Sequence, residues 1–261
     1  VISLRDVGKV FVRDDGAAVN VLEGVSLEIA AGSFVCLVGR SGSGKSTILN
    51  MIAGLIEPSS GTVAFADGSD VRPRLDIGYM TQKETLLPWR DVLRNVAMPL
   101  EVRGVDRATR EARAAELIRI VGLDGAEKRY PRELSGGMAR RASLARMLAS
   151  DPAMLLLDEP FGALDAQLRG DLQRELLRLW QGSGKTIVFV THDIDEALIL
   201  ADRIIVLQSG GAIAVDAAVT FERPRDERAV RLAPGFVALH DRLLDALSGD
   251  PEALREAAAA R

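Results

Sequence analysis

The residues with the clearest chemical meaning are Gly39-Arg40-Ser41-Gly42-Ser43-Gly44-Lys45-Ser46-Thr47, which fit the phosphate-loop pattern G-x-x-x-x-G-K-[ST]. Glycines there let backbone N–H groups approach phosphate oxygens without a Cβ in the way. Lys45 is expected to reach the β- and γ-phosphates, and the Ser46 hydroxyl to bind Mg²⁺. Two adjacent acids, Asp158 and Glu159, follow the apolar run Met154-Leu155-Leu156-Leu157. Asp158 is placed to hold Mg²⁺ through its water shell, and Glu159 to polarise a water for attack on the γ-phosphate. His192 ends another apolar run, where an imidazole can donate to the γ-phosphate, although a lone histidine is more often structural. Gln82 closes Ile77-Gly78-Tyr79-Met80-Thr81 and is a candidate for Mg²⁺ or the attacking water; alone it reads as an ordinary surface glutamine.

These residues need a scaffold of strands ending at one edge. Phe34–Val38 is a short apolar run of buried-strand length, and the residues from Ser46 to Ala53 have helical apolar spacing. Strand, glycine loop and helix is the order the chemistry requires, with the helix dipole favouring an anion. Ile187–Val190 and Arg203–Leu207 read as further strands, and ligands in α/β folds bind at such strand ends. Val19–Leu22 and Val25–Ile29 read as two strands. The post-loop helix is expected to end near Gly54, with a strand at Thr62–Phe65. Phe11 precedes the Asp14-Asp15-Gly16 turn and suits either core packing or stacking on an adenine, core being the commoner fate.

Residues 83–150 change character and read as an inserted helical block. The stretch from Asp106 to Val121 carries an apolar face of Leu117, Ile118, Ile120 and Val121. The block closes with Leu134-Ser135-Gly136-Gly137-Met138 before another helix, which Ser135 can cap while the glycines leave its first N–H groups open. A second glycine-lysine stretch, Gly182-Ser183-Gly184-Lys185-Thr186, is rejected as a phosphate loop, because it precedes a strand and Leu179 stands where the first glycine belongs. A helix is expected up to about Trp180 and another at Ile194–Ala201; residues 209–261 read as hairpin-like and then helix-rich, with an Ala-rich end expected to fray.

The chain has 261 residues, of which 48% are hydrophobic and 27% charged, enough for a sizeable core with an ordinary surface. A net charge of -4 argues against nonspecific nucleic-acid binding as the main task. The single cysteine, Cys36, excludes an intrachain disulfide, fits a reducing compartment, and is expected to pack in the core. No apolar run reaches the roughly 18 residues of a membrane span, and Val1–Asp6 is not a signal peptide. Work at a membrane therefore calls for a partner that holds the chain there.

Taken together, the motifs resemble the ATP-binding subunit of ABC transporters over nearly the whole chain. Residues 39–47 are similar to the Walker A loop, Gln82 to the Q-loop glutamine, Leu134–Met138 to the signature, Met154–Glu159 to Walker B, Phe161–Asp165 to the D-loop and His192 to the H-loop histidine. The resemblance implies an α/β P-loop NTPase (RecA-like) core, over about 1–82 and 151–225, with an antiparallel β subdomain. It also implies an α-helical signature subdomain inserted at about 83–150, within an ATPase domain of 1–225, and a helical extension over 226–261. It places Phe11 where the family stacks an aromatic on adenine. It implies ATP and Mg²⁺ as cofactors, and a homodimer in which each ATP lies between Lys45 of one copy and Ser135, Gly136 and Gly137 of the other. Met138 departs from the signature glutamine, and Ala139-Arg140 from the polar pair that often follows it, which touches the tuning of the dimer interface.

Leu86-Leu87-Pro88-Trp89-Arg90 and Phe236-Val237-Ala238-Leu239 resemble the nitrate/sulfonate/taurine importer subgroup. That likeness implies integral-membrane permease subunits, indirectly a solute-binding protein, and a peripheral position at the cytoplasmic face of the inner membrane. A soluble, non-transport ABC ATPase is the alternative from another class, and a regulatory module with dead catalysis is a further one. One signature, no heptad run and no basic bias speak against the first, and the intact Lys45, Asp158, Glu159 and His192 against the second.

Overall fold

The computed structural model describes residues 2–65, 76–83, 85–162, 164–223, 225 and 227–249. Ala163 of the D-loop stretch and the Ala-rich end lie outside the described residues. The chain divides into two compact units, one built from 1–74 with 186–261 and the other from 75–185. The second unit takes in two strands along with the helical block expected at 83–150.

In the first unit, β1 (Ile2–Val12), β2 (Ala18–Ile29) and β4 (Ser60–Phe65) form an antiparallel sheet in the order β2-β1-β4. Ile2, Leu4, Val25, Leu27 and Ile29 alternate with exposed or half-exposed neighbours, so one face of the sheet is buried. The two strands expected at Val19–Leu22 and Val25–Ile29 are one. Gly24, at φ +61, lets β2 run on where Glu23-Gly24 looked like a break. Register shifts interrupt the β1–β2 ladder between Leu4 and Val7, and Asp6 sits there at φ +48 with its N–H on Ser26 Oγ at 3.0 Å.

The same unit holds β3 (Phe34–Gly39), flanked in parallel register by β7 (Thr186–Thr191) and β8 (Arg203–Leu207), with β9 (Ile213–Ala218) antiparallel on β8. Every residue of β3 and β7 is buried, which is why both read as unbroken apolar runs rather than alternating ones. Helix α1 (Lys45–Ile52) follows β3, and α6 (Ile194–Leu200), capped by Asp193, joins β7 to β8. Cys36 is fully buried in β3, and burial pushes its thiol well above the usual range, so it behaves as a core side chain. Helices α7 (Glu227–Arg231) and α8 (Phe236–Ser248) end the described chain, and α8 buries Leu243 and Ala246.

The second unit pairs β5 (Ile77–Met80) with β6 (Met154–Asp158) in parallel, Met80 beside Leu157. Its helices are α2 (Val92–Val102), α3 (Arg107–Ile120), α4 (Gly136–Ala149) and α5 (Ala166–Trp180). Each begins at a side chain that accepts from the third helical N–H: Asp91, Asp106, Ser135 and Asp165. Such caps contribute about 1 kcal/mol each. In α3, Leu117 and Ile118 are buried with Val121 just beyond, while Ile120 is half-buried and Ala114 joins the core. Lys185, from the rejected glycine-lysine stretch, donates to the Pro152 carbonyl at 2.8 Å and pairs with Asp151, tying that turn to the start of β6. Among the described residues, no helix is long and apolar enough to cross a membrane.

One glycine tests this packing directly. Gly61 lies at φ +74, and a Cβ there would stand 2.3 Å from the carbonyl oxygens of Arg5 and Asp6. Gly61→Ala is expected to cost at least about 2 kcal/mol, because the backbone strain alone amounts to about 1–3 kcal/mol. Urea unfolding should show a lower midpoint at unchanged slope; an unshifted midpoint contradicts the β1–β4 contact.

Candidate active site

The phosphate loop leaves β3 at Gly39, where the chain passes too close to its neighbours for a side chain. A Cβ on Gly39 would lie 2.5 Å from the Leu207 carbonyl oxygen and 2.6 Å from Ser43 Oγ. Gly44 is the N-cap of α1 at φ 91, and a Cβ there would lie 2.3 Å from Leu22 Cδ2. Arg40, Ser41 and Gly42 are exposed, Ser43 and Gly44 are buried, and Ser46 and Thr47 are half-buried in the first turn of α1. That turn carries no acidic side chain to offset the helix dipole. Lys45 is only 6% exposed. Its ammonium donates to the carbonyls of Gly39 and Arg40 at 2.8 Å each and to Ser43 Oγ at 3.3 Å, so the charge is held inside the loop.

The β3–β7 register sets Thr191 beside Val38. His192 therefore leaves β7 at the strand end from which the phosphate loop leaves β3, and it is exposed there. Phe11 is 40% exposed on β1, so it is not a core side chain, and Lys9 Nζ lies 5.1 Å from its ring centroid.

The second unit brings Gln82, Asp158 and Glu159 together. Asp158 ends β6 and is 4% exposed. Its charge adds to burial in raising the pKa of Tyr79 on the adjacent strand. Glu159 follows in the left-handed region at φ 47, a conformation that costs a non-glycine residue free energy and recurs at functional sites. Gln82 Nε2 donates to Glu159 Oε2 at 3.3 Å. At the start of α4, Ser135 Oγ accepts from Met138 N at 3.3 Å, leaving the N–H groups of Gly136 and Gly137 outside that cap bond. Ser135 and Gly136 are exposed and Gly137 is half-buried.

Two residues that organise this unit escaped the sequence reading. Arg140, on α4, is 4% exposed and donates to the carbonyls of Thr81, Gln82, Asp158, Glu159 and Pro160 at 2.6–3.0 Å. Its signal was a charge on the apolar stripe it shares with Ser143, Leu144 and Met147. Asn95, on α2, is fully buried. It accepts from Leu87 N at 2.7 Å and donates to the carbonyls of Leu87, Arg90 and Asp91 at 2.8–3.1 Å. That network presents Trp89 70% exposed, beside a cavity of about 390 Å³ lined also by Arg90, Arg94, Glu101, Arg110 and Glu111.

Residues 22–162, more than half the chain, match the family model described as ABC transporter. The chain belongs to the ABC transporter ATP-binding family. It is 46% identical to the taurine import ATP-binding protein TauB of Sinorhizobium fredii, over 88% of this chain and 88% of that protein. It is 43% identical to the nitrate import ATP-binding protein NrtC of Synechococcus elongatus, over 97% of this chain but only 39% of that longer protein. Among solved structures, the dimeric ABC transporter cassette MJ0796 matches with a TM-score of 0.78 and 33% identity, covering 85% of this chain and all of that one. The same cassette is also known in a post-hydrolysis state bound to ADP and Pi. The α/β P-loop NTPase fold expected from the sequence is thus the fold of the family.

The Asn95 network predicts that Asn95→Ala lowers stability by about 1–3 kcal/mol, the usual cost of orphaning buried polar partners. Trypsin should then cut after Arg90 several-fold faster than in the unmodified chain. Unchanged cleavage and an unchanged unfolding midpoint would contradict the role given to Asn95.

Proposed function

We propose that this chain is the ATP-hydrolysing subunit of an importer that takes up a small anion, such as a sulfonate, taurine or nitrate, through a separate permease. The observation that carries the hydrolysis half is the Glu159 carboxylate, set by a left-handed turn beside buried Asp158 and hydrogen-bonded by Gln82. The names of the relatives supply the solute class: taurine for one and nitrate for another.

In this reading, the N–H groups of Gly39–Thr47 and the Lys45 ammonium bind the phosphates, and Phe11 stacks on the adenine with its exposed face. Glu159 accepts the proton of the attacking water, Gln82 orients that carboxylate or the water, and His192 donates to the γ-phosphate. Ser135, Gly136 and Gly137 present a capped helix N-terminus to the nucleotide of a second copy, so the working unit is a homodimer with ATP at the interface.

The donor set fits Mg²⁺. Asp158 and the Ser46 hydroxyl would offer it hard oxygens, and Gln82 a further one. Among the described residues, no cluster of three or more His, Cys, Asp or Glu exists to form an all-protein cage. Mg²⁺ is typically held by one or two carboxylates together with phosphates and water. When bound, it neutralises charge on the transferred phosphoryl group.

Trp89 and the arginine-lined cavity beside it suit contact with a permease, since Trp and Arg are enriched at interface centres. A net charge of -4 argues against nonspecific nucleic-acid binding as the main task. The proposed place of work is the cytoplasmic face of the inner membrane, held peripherally by the permease, with a solute-binding protein as an indirect partner.

Glu159→Gln is expected to keep ATP affinity, to lose about 10²–10⁴-fold in kcat, as befits removal of a general base, and to accumulate as an ATP-bound dimer. Steady-state phosphate release and gel filtration with ATP check both points. Normal turnover in this variant sinks the role given to Glu159.

A further inference from the structure

Arg140 meets the proposed site in an unusual way. A guanidinium has five N–H donors. The contacts made here use Nε once, toward Pro160, Nη1 twice, toward Thr81 and Gln82, and Nη2 twice, toward Asp158 and Glu159. All five acceptors are main-chain carbonyls, and they belong to the segments that follow β5 and end β6. They lie where the ladder between those strands has ended after Met80 and Leu157 and no longer satisfies the backbone. Three of them bracket Glu159, whose φ of 47 needs surrounding structure to hold it. The other two fix the backbone of Gln82, the residue that donates to the Glu159 carboxylate.

The side chain comes from α4, barely more than one turn from its N-cap, Ser135. One buried cation therefore sets the backbone of Gln82 and Glu159 and anchors both to the helix that carries Ser135–Gly137.

We infer that Arg140 is a positioning residue for ATP hydrolysis, which fixes Gln82 and Glu159 and makes them move with the N-terminus of α4. The inference rests on the reading of this chain as an ATPase dimer. In that dimer, α4 engages the nucleotide of the other copy, so displacement of the helix there reaches the carboxylate and glutamine of its own chain through Arg140. In this scheme Arg140 acts through the two backbone segments it binds rather than on a reacting atom.

Arg140→Lys and Arg140→Gln, made in the full chain, test this. Lysine keeps the charge but concentrates its donors at one point, so it cannot span five carbonyls; glutamine keeps a donor without charge. Binding of a non-hydrolysable ATP analogue is measured for affinity and stoichiometry, alongside kcat. The expected result in both variants is unchanged stoichiometry, affinity within about twofold, and kcat lower by about 10- to 100-fold, the cost of displacing catalytic groups by around an ångström. An active wild type whose two variants keep kcat within about twofold overturns the inference alone. So does a loss of kcat matched by an equal loss of binding stoichiometry, or loss of folded protein, in both variants, since Arg140 is then merely structural. A wild type that binds the analogue but releases no phosphate from ATP overturns the underlying reading and the inference with it.

Discussion

Lys45 rests its ammonium against the Gly39 and Arg40 carbonyls, in a loop whose course leaves no room for a side chain at Gly39 or Gly44. At Gly39 the obstacle is the β8 backbone at Leu207; at Gly44 it is Leu22 of the antiparallel sheet. The loop is thus shaped by close approach from two sheets of its own unit. The buried parallel strands are there to make that approach rigid: β3 is flanked on both sides and buried along its whole length. A backbone cradle for an anion works only where the chain cannot relax onto its own polar groups, and this packing supplies that restraint.

The second unit solves a different problem. Asp158 ends a strand, but the Glu159 carboxylate beside it is aimed by a strained turn, and a strained turn needs support. Arg140 supplies it from a helix, while Arg141 and Arg146 on the same helix donate to the carbonyls of Val121, Gly122 and Thr85. Helix α4 is thus a spine to which the loops of this unit are pinned by charge-assisted hydrogen bonds. Asn95 does for the Trp89 loop what Arg140 does for the carboxylates, with a neutral side chain.

The sequence made much of this legible, and the limits have physical causes. Strands buried on both faces, β3, β6, β7 and β8, stand out as apolar runs because no face needs to be polar. The cap at Ser135 was legible because capping is local. Helix α2 carries Pro99 inside it, a residue that argues against helix in any local reading. Gly24 looked like a strand end because a bulge and a break have the same composition. Phe11 was ambiguous because an aromatic by itself says nothing about which side of a strand it faces; its exposure removes the core alternative. The bonds made by Arg140 and Asn95 were illegible for a deeper reason. Their partners are main-chain groups, which every residue has, up to 59 positions away in the case of Arg140 and Thr81. No residue type at the far end announces the bond.

We propose that the phosphate loop and the signature helix of one chain serve different nucleotides, so that hydrolysis belongs to a pair of chains. Specific ATPase activity measured against protein concentration tests this most directly, with sedimentation at each concentration reporting the association state. The expected result is specific activity that rises with concentration and follows the fraction of dimer. Specific activity that stays constant while the protein sediments as a monomer throughout would contradict it.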